Sequence, residues 1–187
     1  MVNHAERGFS LPEVLMATTV LTVALAGLAQ LFTFSIRATM TAKATTYASV
    51  LAQQKMEQLR ALTYGFDALN LPVTDSTTNL ASVPEAPTGG TGLAPSPAGA
   101  LDANTVGYVD YVDANGASLG GGTPVPPNGT VYIRRWSVQP LPTNPANTLV
   151  MQVLVTRKQA TPDPAGETSR HVAGEARIVT VKTRKPS

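Results

Sequence analysis

A single carboxylate, Glu13, stands at the start of a long apolar stretch, and its position is the first chemical feature that needs a reason. From Val14 to Ile36 the chain has 23 consecutive residues without a charge. At about 1.5 Å per residue, a helix of this length spans roughly 34 Å and could cross a bilayer core of about 30 Å. Because an ionised group inside a bilayer costs at least about 2.5 to 3.5 kcal/mol, we expect Glu13 to pair with a cation.

The other residue types that support catalysis do not combine into a set. The chain has no cysteine, and its two histidines, His4 and His171, lie far apart in the sequence. The glycine run 120–122 is not followed by the lysine of a phosphate-binding loop, and no metal-binding His-Glu spacing occurs. We therefore expect a protein that is not an enzyme and that has no cofactor, no metal and no small-molecule substrate.

The stretch DYVDANG, residues 110–116, admits two interpretations. Asp110, Asp113 and Asn115 partly resemble a calcium-binding loop, although the later bidentate acid of such loops is missing. The alternative, which we favour, is a plain β-turn at Asn115-Gly116.

Charge is unevenly distributed along the chain. Residues 64–129 contain six acids and neither Lys nor Arg, whereas residues 130–187 contain nine bases and three acids. This asymmetry fits either an anionic partner or oppositely charged regions that attract each other within one fold or between neighbouring subunits. The segment YIRRWSV and the bases that follow it could bind DNA. In the alternative interpretation, Trp136 lies in a sheet core and alternate arginines point to solvent.

Helical periodicity continues beyond the apolar stretch. Residues 43–62 place one apolar stripe on a single helix face, formed by Ala44, Ala48, Leu51, Ala52, Met56, Leu59 and Leu62. Lys55 falls on this apolar side, where it either extends past the edge of the stripe or meets an acid. No proline occurs between Pro12 and Pro72, so we predict one helix from about Ser10 to about Leu62.

The rest of the chain predicts a loop and then a sheet. Residues 65–105 are rich in proline and glycine and predict an irregular loop, and later glycines supply further turns. Segments 106–112, 130–138, 148–157 and 173–183 have β character. We expect an α+β fold in which the apolar stripe of the helix packs on an antiparallel sheet of about four strands.

Residues 7–15, RGFSLPEVL, resemble the class III signal of type IV pilin-like proteins. The order of Gly8, Phe9 and Glu13 directly before the uncharged stretch carries the resemblance. It implies a prepilin peptidase that cuts between Gly8 and Phe9 and methylates Phe9 as the new N-terminal residue. It also implies that Glu13 pairs with the N-terminal amine of another subunit, an amine that is mostly cationic at neutral pH.

The resemblance also implies a domain order and the type IV pilin fold. The expected order is a leader at 1–8, a transmembrane and assembly helix at 9–36, an amphipathic helix at 37–64, the loop at 65–105 and the sheet domain at 106–187. The chain would insert once into the bacterial inner membrane, and an assembly platform there would join it to other pilins in a fibre at the cell surface.

Several alternatives stay open within and outside this family. The stretch ASVLAQQKMEQLRAL resembles the second helical half of minor pilins and of the pseudopilins of type II secretion, which form a periplasmic pseudopilus. The lack of a mid-helix proline and of a C-terminal cysteine pair favours a minor pilin over a major one. A membrane-anchored periplasmic binding domain that never assembles is an alternative of another class. A secretory signal peptide cut near Ala26 and an ordinary single-span anchor are the simpler alternatives.

Overall fold

The computed structural model describes residues 10–158 and 174–185. They form one helix, α1 (Leu11–Ala61), and seven strands: β1 (Tyr64–Phe66), β2 (Pro72–Thr74), β3 (Val109–Val112), β4 (Ser118–Gly120), β5 (Tyr132–Pro140), β6 (Thr148–Arg157) and β7 (Ala176–Thr183). The chain packs as two units, Met1–Thr41 and Ala42–Ser187, and α1 contributes residues to both. The predicted single helix is confirmed to within one residue at each end.

The strands form an antiparallel five-stranded sheet and a separate two-stranded hairpin. The sheet order is β4-β3-β5-β6-β7, and β1 pairs only with β2. The four predicted β segments correspond to β3, β5, β6 and β7. The additional strand β4 is three residues long and ends in the glycine run that the sequence marked as a turn, which is why its pairing with β3 was not foreseen.

The core of unit 42–187 lies between the second part of α1 and one face of the sheet. Ala48, Leu51, Ala52, Met56 and Leu59 are buried against the sheet, so the predicted packing of the apolar stripe is confirmed. The sheet supplies apolar side chains from alternate positions of its central strands, among them Trp136, Val138, Met151 and Val153. The α+β arrangement expected from the sequence is therefore the observed one.

The proline- and glycine-rich segment is less irregular than predicted. It includes β2 and a short bridge between Asn79 and Ala86. The Asp75 carboxylate accepts hydrogen bonds from the backbone N–H groups of Thr77 and Thr78 and from the Thr78 hydroxyl, which fixes the turn after β2. Leu80 and Leu93 insert from this segment into the core, so the loop closes one side of the domain.

Candidate functional site

The N-terminal residues implied by the signal resemblance lie at the boundary of the described structure. Gly8 and Phe9 lie outside the described residues, whereas Glu13 occupies the first turn of α1 and is exposed. The backbone carbonyl of Ser10 accepts hydrogen bonds from the N–H groups of Glu13 and Val14, at 3.0 and 3.2 Å, and so starts the helix. Pro12 sits in this first turn, where a missing N–H removes no helical hydrogen bond.

The apolar part of α1 has no cover within the described chain. All residues from Ser10 to Lys43 are exposed, and α1 is long and apolar enough to cross a membrane. Fourteen large apolar side chains between Leu11 and Met40 are each at least 50% exposed. A continuous apolar surface of this kind marks a membrane or protein contact, because isolated soluble domains rarely expose one.

The polar side chains of this stretch are largely satisfied within the helix. All four threonine hydroxyls between Val14 and Ile36 donate to a backbone carbonyl three or four residues earlier, at 2.7 to 3.0 Å; the donors are Thr18, Thr19, Thr22 and Thr33. A hydroxyl with an internal partner does not require water. These threonines are therefore compatible with an apolar environment, and Glu13 stays the charged group that needs a partner there.

A buried ion network joins α1 to the sheet in unit 42–187. The Lys55 ammonium lies 2.9 Å from Oδ2 of Asp110, and the Arg134 guanidinium donates to both oxygens of the same carboxylate, at 2.8 and 2.7 Å. All three side chains are at most 3% exposed. One of the two alternatives for Lys55, that it meets an acid, is confirmed. Of the two adjacent arginines of β5, Arg134 is buried and Arg135 is half-buried, so neither of this pair points freely to solvent, as alternate arginines were expected to do.

Two cations share one carboxylate in this network, so it carries a net positive charge. Burial lowers the pKa of the Lys55 ammonium, the Asp110 carboxylate opposes this shift, and the Arg134 charge adds to it. Lys55 also donates to the carbonyl of Leu80 at 2.8 Å and lies 4.8 Å from the centre of the Trp136 ring. The network fixes the rotation of α1 on the sheet, because only one helix face presents Lys55.

Two further cations bind backbone carbonyls, Lys182 at the end of α1 and Arg184 mainly in the β1-β2 hairpin. Lys182 donates to the carbonyls of Arg60 and Leu62 at the C-terminus of α1, where the last backbone carbonyls of a helix have no partner within the helix. Burial and the nearby Lys185 and Arg60 lower the pKa of the Lys182 ammonium. Arg184 donates to the carbonyls of Ala146, Gly65 and Val73 and stacks on the Tyr64 ring at 4.2 Å. These contacts anchor the β1-β2 hairpin to the sheet.

The bases that could have formed a DNA surface are therefore partly engaged inside the domain. Trp136 is buried in the core, as one of the two interpretations predicted. Arg134, Lys182 and Arg184 bind a carboxylate or backbone carbonyls, while Arg157 and Lys158 are exposed. Arg170 and His171 lie outside the described residues.

The DYVDANG stretch covers the end of β3 and the turn that leads to β4. The Asp113 carboxylate accepts from the backbone N–H groups of Asn115 and Ala117, both at 2.8 Å, and Gly116 has a positive φ of 86°. The β-turn interpretation is confirmed. Asp110 belongs to the ion network instead, and among the described residues no group of three or more acids and histidines could hold a metal ion.

Comparisons with known proteins complete the description of the site. The chain matches no protein-family model, no curated protein and no solved structure. Its function is therefore inferred from its own residues, through the signal-like segment, the exposed apolar helix and the packed α+β unit.

Proposed function

We propose that the chain is a minor pilin, a structural subunit of a type IV pilus. It inserts once into the bacterial inner membrane, where a prepilin peptidase cuts after Gly8 and methylates Phe9. The assembly platform then adds the mature subunit to a fibre of other pilins. The observation that carries this proposal is the position of Glu13 in the first turn of a helix whose apolar surface has no cover within the described chain.

The pairing of Glu13 with an N-terminal amine gives the assembly step its driving force. An unpaired carboxylate in the bilayer costs at least about 2.5 to 3.5 kcal/mol, whereas a pair with the amine of Phe9 in another subunit removes most of this cost. Cleavage after Gly8 creates that amine at the start of the helix. An unprocessed chain therefore lacks the cation that Glu13 requires, and processing precedes assembly.

The two parts of α1 have different partners in this proposal. The part in unit Met1–Thr41 contacts lipid before assembly and neighbouring helices afterwards, since its surface is apolar all round. The part from Ala48 to Leu59 is buried on the sheet and holds the domain. One continuous helix thus links the membrane-embedded segment to the domain displayed by the fibre.

Removal of the Glu13 charge tests the proposed pairing. We expect Glu13→Ala to be cleaved after Gly8 as efficiently as the unsubstituted chain but to enter fibres at least about tenfold less, because about 1.4 kcal/mol of lost pairing already gives a tenfold effect. The matched control is Glu57→Ala, which removes an exposed carboxylate from the same helix, where it contacts only Arg60 in a surface pair. Recovery of the chain in sheared surface fibres is the measurement.

The outcomes also separate the alternatives. Normal incorporation of Glu13→Ala would overturn the pairing role. A processed chain that is found in a periplasmic pseudopilus and not in surface fibres would favour a type II secretion pseudopilin. A chain that stays in the membrane fraction as a monomer with the full assembly machinery present would favour a membrane-anchored binding domain.

A further inference from the structure

Unit 42–187 has two surface clusters of apolar side chains, one beside an acid and the other beside a base. The first cluster, called the hairpin tip, consists of Asp67, Leu69, Leu71 and Val73. The second, called the outer β7 patch, consists of the exposed Arg177, Val179 and Val181 of β7 and the half-buried Val150, Gln152 and Leu154 of β6. Neither cluster belongs to the core described above, so each is available for contact with another molecule.

The hairpin tip is an ordered turn that presents leucines to solvent. The Asp67 carboxylate accepts from the N–H groups of Leu69 and Leu71, at 2.9 and 2.8 Å, and the Asp67 N–H donates to the carbonyl of Leu71 at 2.9 Å. Leu69 is nonetheless 80% exposed. Residues 64–129 contain no Lys or Arg, and the base that contacts this hairpin is Arg184, which donates to the carbonyls of Gly65 and Val73. The tip thus presents exposed leucines beside one carboxylate, in a turn defined by backbone hydrogen bonds.

The outer β7 patch lies on the sheet face opposite the helix. Ile178 packs against the core, so Arg177, Val179 and Val181 point the other way along the strand. The register places Val181 beside Val150, and Arg177 beside Leu154. Val179 and Val181 are 55% and 57% exposed, and β7 is one of the two edge strands of the five-stranded sheet. Gln152 lies beside Val179 in the register, and its side-chain oxygen accepts a hydrogen bond from Arg177. The patch is thus apolar around one amide, with a cation at one end.

We propose that the hairpin tip of one copy of this chain docks on the outer β7 patch of the next copy. Leu69 and Leu71 cover Val179 and Val181, and Asp67 faces Arg177. A second copy is the occupant because the two surfaces belong to one chain and complement each other in charge and in apolar character. This proposal deepens the fibre assembly proposed above and rests on it.

The geometry of this contact suits a fibre. The two surfaces are different parts of the chain, so the contact is heterologous, and a bound pair still offers one free tip and one free patch. Such a contact repeats without closing on itself unless the rotation forms a ring. It supplements the helix contacts with a domain contact whose strength depends on ionic strength, since the pair of charges lies at the rim of an apolar patch.

Disulfide trapping tests the proposal directly, because the chain contains no native cysteine. Full chains that carry Leu69→Cys with one tag and Val179→Cys with a second tag are reconstituted together in lipid vesicles and oxidised. We expect a mixed disulfide between unlike chains at least about fivefold above that of a control pair. The controls are Val83→Cys and Val125→Cys, which lie in other loops and are 59% and 70% exposed.

Charge substitutions in the same assay test the pair of Asp67 and Arg177. Asp67→Asn keeps an oxygen for the two backbone N–H groups but removes the charge, so the trapped yield should fall about twofold to fivefold. Arg177→Gln in the other chain should lower the yield by a similar factor, and the two substitutions together should lower it no further than either one alone, because they remove the same pair of charges. A mixed disulfide no stronger than the control pair, or independent effects of the two substitutions, would overturn the proposal.

The same chains separate this proposal from the proposed function. Their N-terminal mass is measured after co-expression with a prepilin peptidase. Processing after Gly8 without the mixed disulfide overturns only the docking contact. A mixed disulfide between chains that stay unprocessed overturns the pilin assignment and supports the contact.

Discussion

The buried network of Lys55, Asp110 and Arg134 predicts an unusual order of mutational effects. Removal of either cation leaves a neutral pair, whereas removal of the acid leaves two buried cations that had shared one oxygen within 2.9 Å. Two cations about 5 Å apart repel by about 3 kcal/mol at an effective dielectric constant of about 20. We therefore expect Asp110→Asn to lower the free energy of unfolding by about 3 to 5 kcal/mol, the usual effect of leaving buried charge uncompensated.

Lys55→Met should cost less, although it removes a charge from the same site. Asp110 keeps its two hydrogen bonds with Arg134, and the methionine side chain lies beside the Trp136 ring. The main loss is the hydrogen bond to the Leu80 carbonyl, which would be left buried at a cost of about 1 to 3 kcal/mol. Lys43→Met, on an exposed part of the same helix, is the matched control and should change stability little.

Urea unfolding of the full chain in detergent micelles measures these differences. Trp136 is the only tryptophan and is fully buried, so its fluorescence reports the unfolding of this core. With a urea dependence of about 1 to 3 kcal/mol per molar, Asp110→Asn should lower the midpoint by about 1 to 5 M. If Lys55→Met proved as destabilising as Asp110→Asn, the charge argument for the network would be wrong.

Two further predictions concern loops of the domain. Burial acts to raise the pKa of the Asp75 carboxyl, but its hydrogen bonds from Thr78 and Thr77 outweigh this and hold the pKa below 3.8. The Asp75 carboxylate should therefore stabilise the domain above pH 3.8, and this effect should be lost as the pH falls below that value. The difference in unfolding midpoint between the unsubstituted chain and Asp75→Asn should shrink over the same range. Gly116→Ala should destabilise the domain by about 1 to 3 kcal/mol in the same fluorescence assay. The added Cβ would lie 2.5 Å from the Tyr47 hydroxyl, at a residue whose φ is 86°. An unchanged midpoint would contradict the close packing of Tyr47.

The long elements of the fold could be predicted from the sequence because their patterns are long. The helix has an uncharged run and then a regular apolar stripe, and β6 was predicted at its observed ends, 148–157. The strands that were not foreseen, β1, β2 and β4, have three residues each, too few for a periodic pattern. Their pairing depends on turn geometry and on contacts such as that of Arg184 with the hairpin, which are distant in sequence.

Only part of the ion network could be predicted from the sequence. Lys55 stood out because it interrupts an apolar stripe, but the sequence did not identify which acid would meet it. Arg134 could have been placed by strand alternation alone, since it shares a sheet face with Trp136 while Arg135 faces the other way. A buried tryptophan two residues away therefore implies a buried Arg134, and a buried arginine requires an acid such as its cross-strand neighbour Asp110.

The N-terminal mass of the chain after co-expression with a prepilin peptidase tests the pilin assignment most directly. The assignment predicts a product that lacks residues 1–8, begins at Phe9 and carries one added methyl group, and it predicts the unprocessed chain when the peptidase is omitted. A product that still begins at Met1 with the peptidase present, or one cut near Ala26, would contradict it.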